Sequence, residues 1–183
     1  MEHSPLSQWI ALLRGINVGG HHKLPMAELR DLCADLGWQD VRTYIQSGNI
    51  VFSAGGESVL LEQNLKLAIN ESYGFEIPVI LRTAEQWRLV RNGNPFPGES
   101  AKEPSLVMAC FSRASFPASA VAEIEARGAQ SERAILNGDA LWIYFQGGSG
   151  CSKITPAVLD RLAGSPVTTR NWRTVVKIDE MVN

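Results

Sequence analysis

The stretch Arg133-Ala134-Ile135-Leu136-Asn137-Gly138-Asp139-Ala140-Leu141-Trp142-Ile143-Tyr144-Phe145-Gln146 decides the fold. Asn137-Gly138 stands between two apolar runs. Both residues tolerate positive φ, so the pair predicts a hairpin between strands 133–136 and 140–146. An earlier stretch echoes it. Val41 to Gln46 and Asn49 to Ser53 read as two strands joined at a tight Ser47-Gly48 turn.

The flanks of the two hairpins also match. Before the first lies a short apolar strand, Trp9 to Leu13. A helix follows from Pro25, with Met26, Leu29, Leu32, Cys33 and Leu36 at helical spacing and Gly37 closing it. After that hairpin come a helix around Leu60 to Ile69 that ends near Gly74, and a strand from Glu76 to Leu81. Thr83 with Gln86 then forms a capping box that opens a closing helix to Arg91.

Around the second hairpin the order repeats. Leu106 to Phe111 is a strand, and Pro117 to Arg127 a helix stopped by Gly128. Pro156 to Ala163 is a helix, a short strand starts at Pro166, and Asn171 to Val182 closes. The chain therefore reads as α/β (α+β), with two tandem ferredoxin-like βαββαβ repeats, each with a closing helix. This is the signature of an internal duplication. The repeats are expected at 1–91 and 105–183, with the Gly- and Pro-rich residues 92–104 as linker.

Composition agrees with two small folded units. There are 17 Lys+Arg and 19 Asp+Glu, a formal net charge of −2, which argues against indiscriminate binding to nucleic acid. A chain of 183 residues buries roughly 70% of its unfolded surface and needs no disulfide or metal to stay folded. Ile10 to Leu13 and Leu141 to Phe145 are apolar at every position, so both faces of each sheet are expected to be covered.

Cys33 and Cys110 fall inside a predicted helix and strand and read as small buried residues. Cys151 lies in a Gly-rich loop and is expected to be accessible. The count is odd and the spacings are long, against a disulfide framework. No signal peptide is visible. The run Trp9 to Leu13 is far short of the roughly 18–20 residues of a spanning helix. The reading is cytoplasmic, with no membrane association, as a monomer or homodimer.

Polar residues collect at predicted loops. The sheet topology brings the end of the first strand, Arg14 to Gly20, beside the turn Gln46 to Asn49, with Lys23 close. Arg14 and Lys23 supply positive charge, and Asn17, Gln46 and Asn49 supply hydrogen-bonding groups. The glycines allow two readings. Gly15, Gly19 and Gly20 present backbone N–H groups to an anion, or they simply turn the chain while Asn17 and Asn49 bond their own loops. They match neither the phosphate-loop nor the dinucleotide pattern. His21 and His22 are adjacent, with no ligand-spaced partner, and His3 lies near the terminus, so no metal site is expected. No cofactor is expected either.

Three segments carry a resemblance. Arg14-Gly15-Ile16-Asn17-Val18-Gly19-Gly20, Gln46-Ser47-Gly48-Asn49-Ile50-Val51-Phe52 and Thr168-Thr169-Arg170-Asn171-Trp172-Arg173-Thr174 resemble the hallmark stretches of the domain of unknown function 1697 family (DUF 1697). The resemblance spans Trp9 to Val182. It implies a bacterial cytoplasmic α/β protein with duplicated ferredoxin-like halves, and no reaction. Carried over by motif, Arg14, Asn17, Lys23, Gln46, Ser47, Asn49, Arg170, Asn171 and Trp172 are the candidate ligand-binding residues.

The leading functional reading is binding of a small anionic ligand or nucleotide at this polar loop site. Whether it is an enzyme stays open, since no carboxylate lies in those segments to act as general base. The alternative is nucleic-acid binding through Arg161 to Lys177. That stretch carries Arg161, Arg170, Arg173 and Lys177 without an acid and interleaves Trp172.

Overall fold

The computed structural model describes residues 5–128 and 132–182, so His3 lies outside the described residues. Both hairpins form. Strands β1 (Ser7–Leu13), β2 (Gln39–Tyr44), β3 (Asn49–Ala54) and β4 (Val79–Thr83) make one antiparallel sheet in the order β2-β3-β1-β4. Strands β5 (Val107–Ser112), β6 (Glu132–Asn137), β7 (Ala140–Phe145) and β8 (Val167–Asn171) make a second in the equivalent order, β6-β7-β5-β8.

Apart from a short helix at Pro97–Lys102, the helices fall where the periodicity puts them. They are α1 (Met26–Asp35), α2 (Ser58–Tyr73), α3 (Ala84–Asn92), α4 (Pro97–Lys102), α5 (Ser119–Arg127), α6 (Pro156–Ala163) and α7 (Trp172–Val182). Gly74 ends α2 with φ +71°, a left-handed stop that suits glycine. The Thr83 and Gln86 capping box is reciprocal, with bonds of 2.9 and 3.1 Å. The chain divides into two units, residues 1–87 with 180–183, and residues 88–179. No described helix is long and apolar enough to cross a membrane.

Four boundaries differ from the sequence expectation. The second hairpin pairs Asn137 with Ala140, so its central residues are Gly138-Asp139 rather than Asn137-Gly138. Gly138 has φ +58° while Asn137 and Asp139 do not share the sign, as when glycine leads a two-residue turn. The first hairpin ends its strand at Tyr44, so the turn has four residues, Ile45 to Gly48, not two. Strand β4 begins after Pro78, which has no N–H to give the ladder. The stretch 92–104 carries helix α4, opened by Pro97 in its first turn.

In the first unit, α1 and α2 cover one sheet face. Trp9, Ala11, Leu13, Ile50, Phe52, Val79 and Leu81 point into this core beside Leu29, Cys33, Leu65 and Ile69. Trp38 stacks flat on Phe52 at 3.8 Å between ring centres. In the second unit Cys110, Leu141, Ile143, Phe145 and Val167 pack against Ile124, Leu159 and Leu162.

The opposite faces are buried as well. Ile10, Leu12, Val51 and Ile80 are buried in the first sheet, and Val107, Ala109, Phe111 and Trp142 in the second. Within the second unit, the rings of Phe96 and Trp172 lie beside Tyr144 and Trp142 on that face.

Candidate functional site

The antiparallel order sets the end of β1 beside the β2–β3 turn. Leu12 pairs with Asn49, and the Leu13 N–H donates to the Gly48 carbonyl at 2.8 Å. Glycine is required at this turn twice over. Gly48 has φ +79°, and a Cβ there would lie 2.7 Å from both Ile16 Cδ1 and Leu13 Cβ. The buried Ile16 side chain thus packs directly against the turn backbone.

Residues 14–23 form a miniature hairpin. The Asn17 N–H donates to His22 O at 3.1 Å, and the His21 N–H to Val18 O at 3.0 Å. Gly19 and Gly20 between them have φ +59° and +80°, the mirror-image turn that glycine pairs adopt. Here these two glycines turn the chain, and the His21 amide is committed to the turn. Val18 at its end is 65% exposed.

Asn17 fastens this hairpin down. Its Nδ2 donates to Leu24 O and Gln46 O, each at 2.9 Å, and its Oδ1 accepts from the Leu24 N–H at 2.9 Å. One carboxamide therefore ties the loop to both the approach to α1 and the β2–β3 turn. Asn49 does the same inside the turn: its buried Nδ2 donates to Tyr44 O at 2.9 Å and Ser47 Oγ at 3.2 Å. His22 closes the loop, its ring stacked 4.6 Å from Phe75 and its Nδ1 3.0 Å from Gly15 O. Arg14 is half-buried, with its N–H on Pro78 O at 3.1 Å. His21, Lys23 and Gln46 are exposed.

Backbone strain concentrates here. Among the described residues, the non-glycine ones with positive φ are Asn17, His22, Asp40 and Ile45, and all but Asp40 belong to this edge. Asn and His accept the left-handed region comparatively well. Ile45, at φ +48°, does not, because its branched Cβ crowds the carbonyl at a cost of roughly 1–2 kcal/mol. Its side chain is 49% exposed, so burial recovers only part of that cost. Asp40 sits instead at the register shift between Gln39 and Arg42, a bulge on edge strand β2.

Arg170, Asn171 and Trp172 lie in the second unit. Arg170 is buried, its Nη1 donating to Thr168 Oγ1 at 2.7 Å and Thr169 O at 2.8 Å. Desolvation brings its pKa down to about 10, which leaves it cationic at neutral pH. Asn171 caps α7, its Oδ1 accepting the Thr174 N–H at 3.0 Å. Trp172 places its N–H on Pro104 O at 3.1 Å and its ring 5.9 Å from Trp142. In the basic stretch, Arg161 pairs with Glu123 at 2.9 Å, while Arg173 and Lys177 are exposed.

The cysteines behave as expected. Burial pushes the Cys33 and Cys110 thiols up to about 12, and Cys151 is exposed. Among the described residues, no group of three or more His, Cys, Asp and Glu side chains is arranged to hold a metal ion.

Sequence reading missed His22, Ile45 and Phe75 as contributors to this edge. Ile45 carried no signal, because it reads as an ordinary strand residue until its φ is known. Phe75 follows the helix-ending Gly74, and only the tertiary fold brings it to His22.

A family model described as protein of unknown function (DUF1697) matches residues 6–142. Among solved structures, the chain is similar to the one described as conserved bacterial protein SP0830 from Streptococcus pneumoniae, with a TM-score of 0.72 and 23% identity. The match covers 98% of this chain and 100% of that one. At that identity the likeness concerns the fold. No curated protein matches the sequence.

Proposed function

The chain belongs to the DUF1697 family of proteins of unknown function, and from that premise we propose that it binds a small anionic ligand at the edge formed by residues 14–23 and 45–49. One observation carries the reading. Three non-glycine residues with left-handed backbone, Asn17, His22 and the strained Ile45, fall in the two loops of a single sheet edge. Strain of this kind persists where the surrounding structure enforces it, and it collects at functional sites.

The roles divide between scaffold and contact. Asn17 and Asn49 spend their carboxamides on the backbone and hold the two loops in register. Arg14 and Lys23 bring positive charge to the edge, where no residue of 14–23 or 45–49 is acidic. Gln46 and Ser47 add polar groups. Arg170, Asn171 and Trp172 remain candidates for a ligand in the second unit, although each also serves the packing of its own strand or helix.

We read each half as a ferredoxin-like repeat, 1–91 and 105–183, of a duplicated bacterial cytoplasmic protein. The equivalent strand orders and the repeated βαββαβ succession support the two repeats. Nucleic-acid binding through the basic tail has less support, because Arg161 is paired with Glu123 and Arg170 is buried.

The test is a thermal-shift and titration panel of inorganic phosphate, phosphorylated sugars and nucleotides. At least one anion is expected to stabilise the protein, with binding weakened by Lys23→Ala and by rising salt. A panel in which no anion shifts the melting temperature sinks the proposal.

A further inference from the structure

The bulge on edge strand β2 changes which side chains share a face. Gln39 pairs with Ser53 and Arg42 with Val51, so Asp40 and Val41 together oppose Phe52. Residues directly opposite share a face, and Ser53 and Val51 lie two apart on β3. Arg42 therefore joins Gln39 on that face, where an unbroken ladder would turn it to the other. Gln8 on β1 also pairs with Ser53 and lies on the same face. Val41 packs against the core instead. Asp40 holds the bulge with φ +52°, a backbone that aspartate accepts comparatively well.

Gln8, Asp40, Val41 and Arg42 line one cleft of about 360 Å³. Small-molecule sites run from about 300 to 1,000 Å³. The cleft lies wholly in the first unit, at the end of β1 remote from residues 14–23. Among the described residues, the side chains of Gln8, Asp40 and Arg42 have no hydrogen-bond or ion-pair partner, so the two charges do not neutralise each other. Charges on an edge strand discourage pairing with another chain, but that role needs neither the cleft nor Gln8. A carboxylate and a guanidinium that line one cleft and stay apart suit a ligand carrying both charges. We propose that this cleft takes a free α-amino acid. Arg42 holds its carboxylate, Asp40 its ammonium, and the Gln8 carboxamide bonds to either group. A simple anion is opposed by Asp40, and a simple cation by Arg42.

The experiment is a thermal-shift screen of the whole protein with the common α-amino acids. Calorimetric titration follows for each that binds, for its N-acetyl derivative and for the amine lacking its carboxylate. At least one amino acid is expected to bind about tenfold tighter than both singly charged analogues, the worth of one hydrogen bond to a charged group. Asp40→Asn is expected to weaken the amino acid about tenfold and the N-acetyl derivative not at all. Arg42→Gln is expected to weaken the amino acid likewise and the amine not at all. Asparagine tolerates the left-handed backbone and Arg42 is exposed, so both variants keep the fold; circular dichroism checks this. Amino acids that bind no tighter than their singly charged analogues overturn the proposal, as does full affinity in either folded variant. A screen in which no amino acid binds also overturns it and leaves the charges as edge protection alone. None of these results touches the anion reading at residues 14–23 and 45–49, which the phosphate panel tests separately.

Discussion

Replacing Asn17 by Ala tests whether one carboxamide organises the candidate site. The change deletes the two bonds to Leu24, one donated and one accepted, the bond to Gln46 O and a longer one to Gln46 Oε1 at 3.5 Å. The Leu24 bonds are partly buried and contribute about 1 kcal/mol each, whereas water replaces the exposed bonds to Gln46 at little cost. Alanine at φ +55° adds roughly 1 kcal/mol of backbone strain that asparagine largely avoids. The sum is about 3 kcal/mol. In a protein of this length that is a drop of roughly 6–12 °C in melting temperature. Asn17→Gly removes the same bonds without the strain, so it is expected to lose about 1 kcal/mol less than Ala. Differential scanning calorimetry of the three proteins gives the comparison. If Asn17→Ala melts within about 2 °C of the parent, the carboxamide is not what holds the loop, and the reasoning fails.

Gly48→Ala meets both a positive φ and a 2.7 Å approach to Leu13 and Ile16, so it is expected to cost about 2–4 kcal/mol in urea unfolding, far more than a typical surface change. A disulfide-exchange thiol assay at neutral pH is expected to label Cys151 alone in the folded protein and all the cysteines in denaturant, because burial keeps Cys33 and Cys110 neutral. Tyr73 donates its hydroxyl to Glu28, and its pKa rises from 10.0 to about 12 through desolvation first, then that bond and the charges of Glu28 and Asp31. The stability this pair adds is therefore complete below pH 10 and is lost as pH rises through about 12. Urea midpoints across that window are expected to fall less steeply in Tyr73→Phe than in the parent, and parallel curves would refute the coupling.

Much of the fold was legible because it rests on local rules. The capping box at Thr83, the glycine stop after α2 and the Pro156 start of α6 are decided by residues within one helical turn. Register was harder. Nothing near Asn137-Gly138-Asp139 says which pair takes the turn; the pairing of Asn137 with Ala140 decides it across the whole ladder. The site split along the same line. That Arg14 to Lys23 and Gln46 to Asn49 share an edge followed from topology, and the bond from Asn17 to Gln46 makes it concrete.

By itself, then, the sequence determined the element order, its repetition in two halves, the apolar faces and the segments that meet at the sheet edge. Each of these depends on periodicity, caps and turn residues that act over a few positions. Only the tertiary structure decided which polar side chains are consumed in holding loops and which face outward. It also decided that Ile45 adopts a left-handed backbone and that His22 finds Phe75. Those features depend on partners distant along the chain, and no local pattern encodes a partner that folding alone brings near.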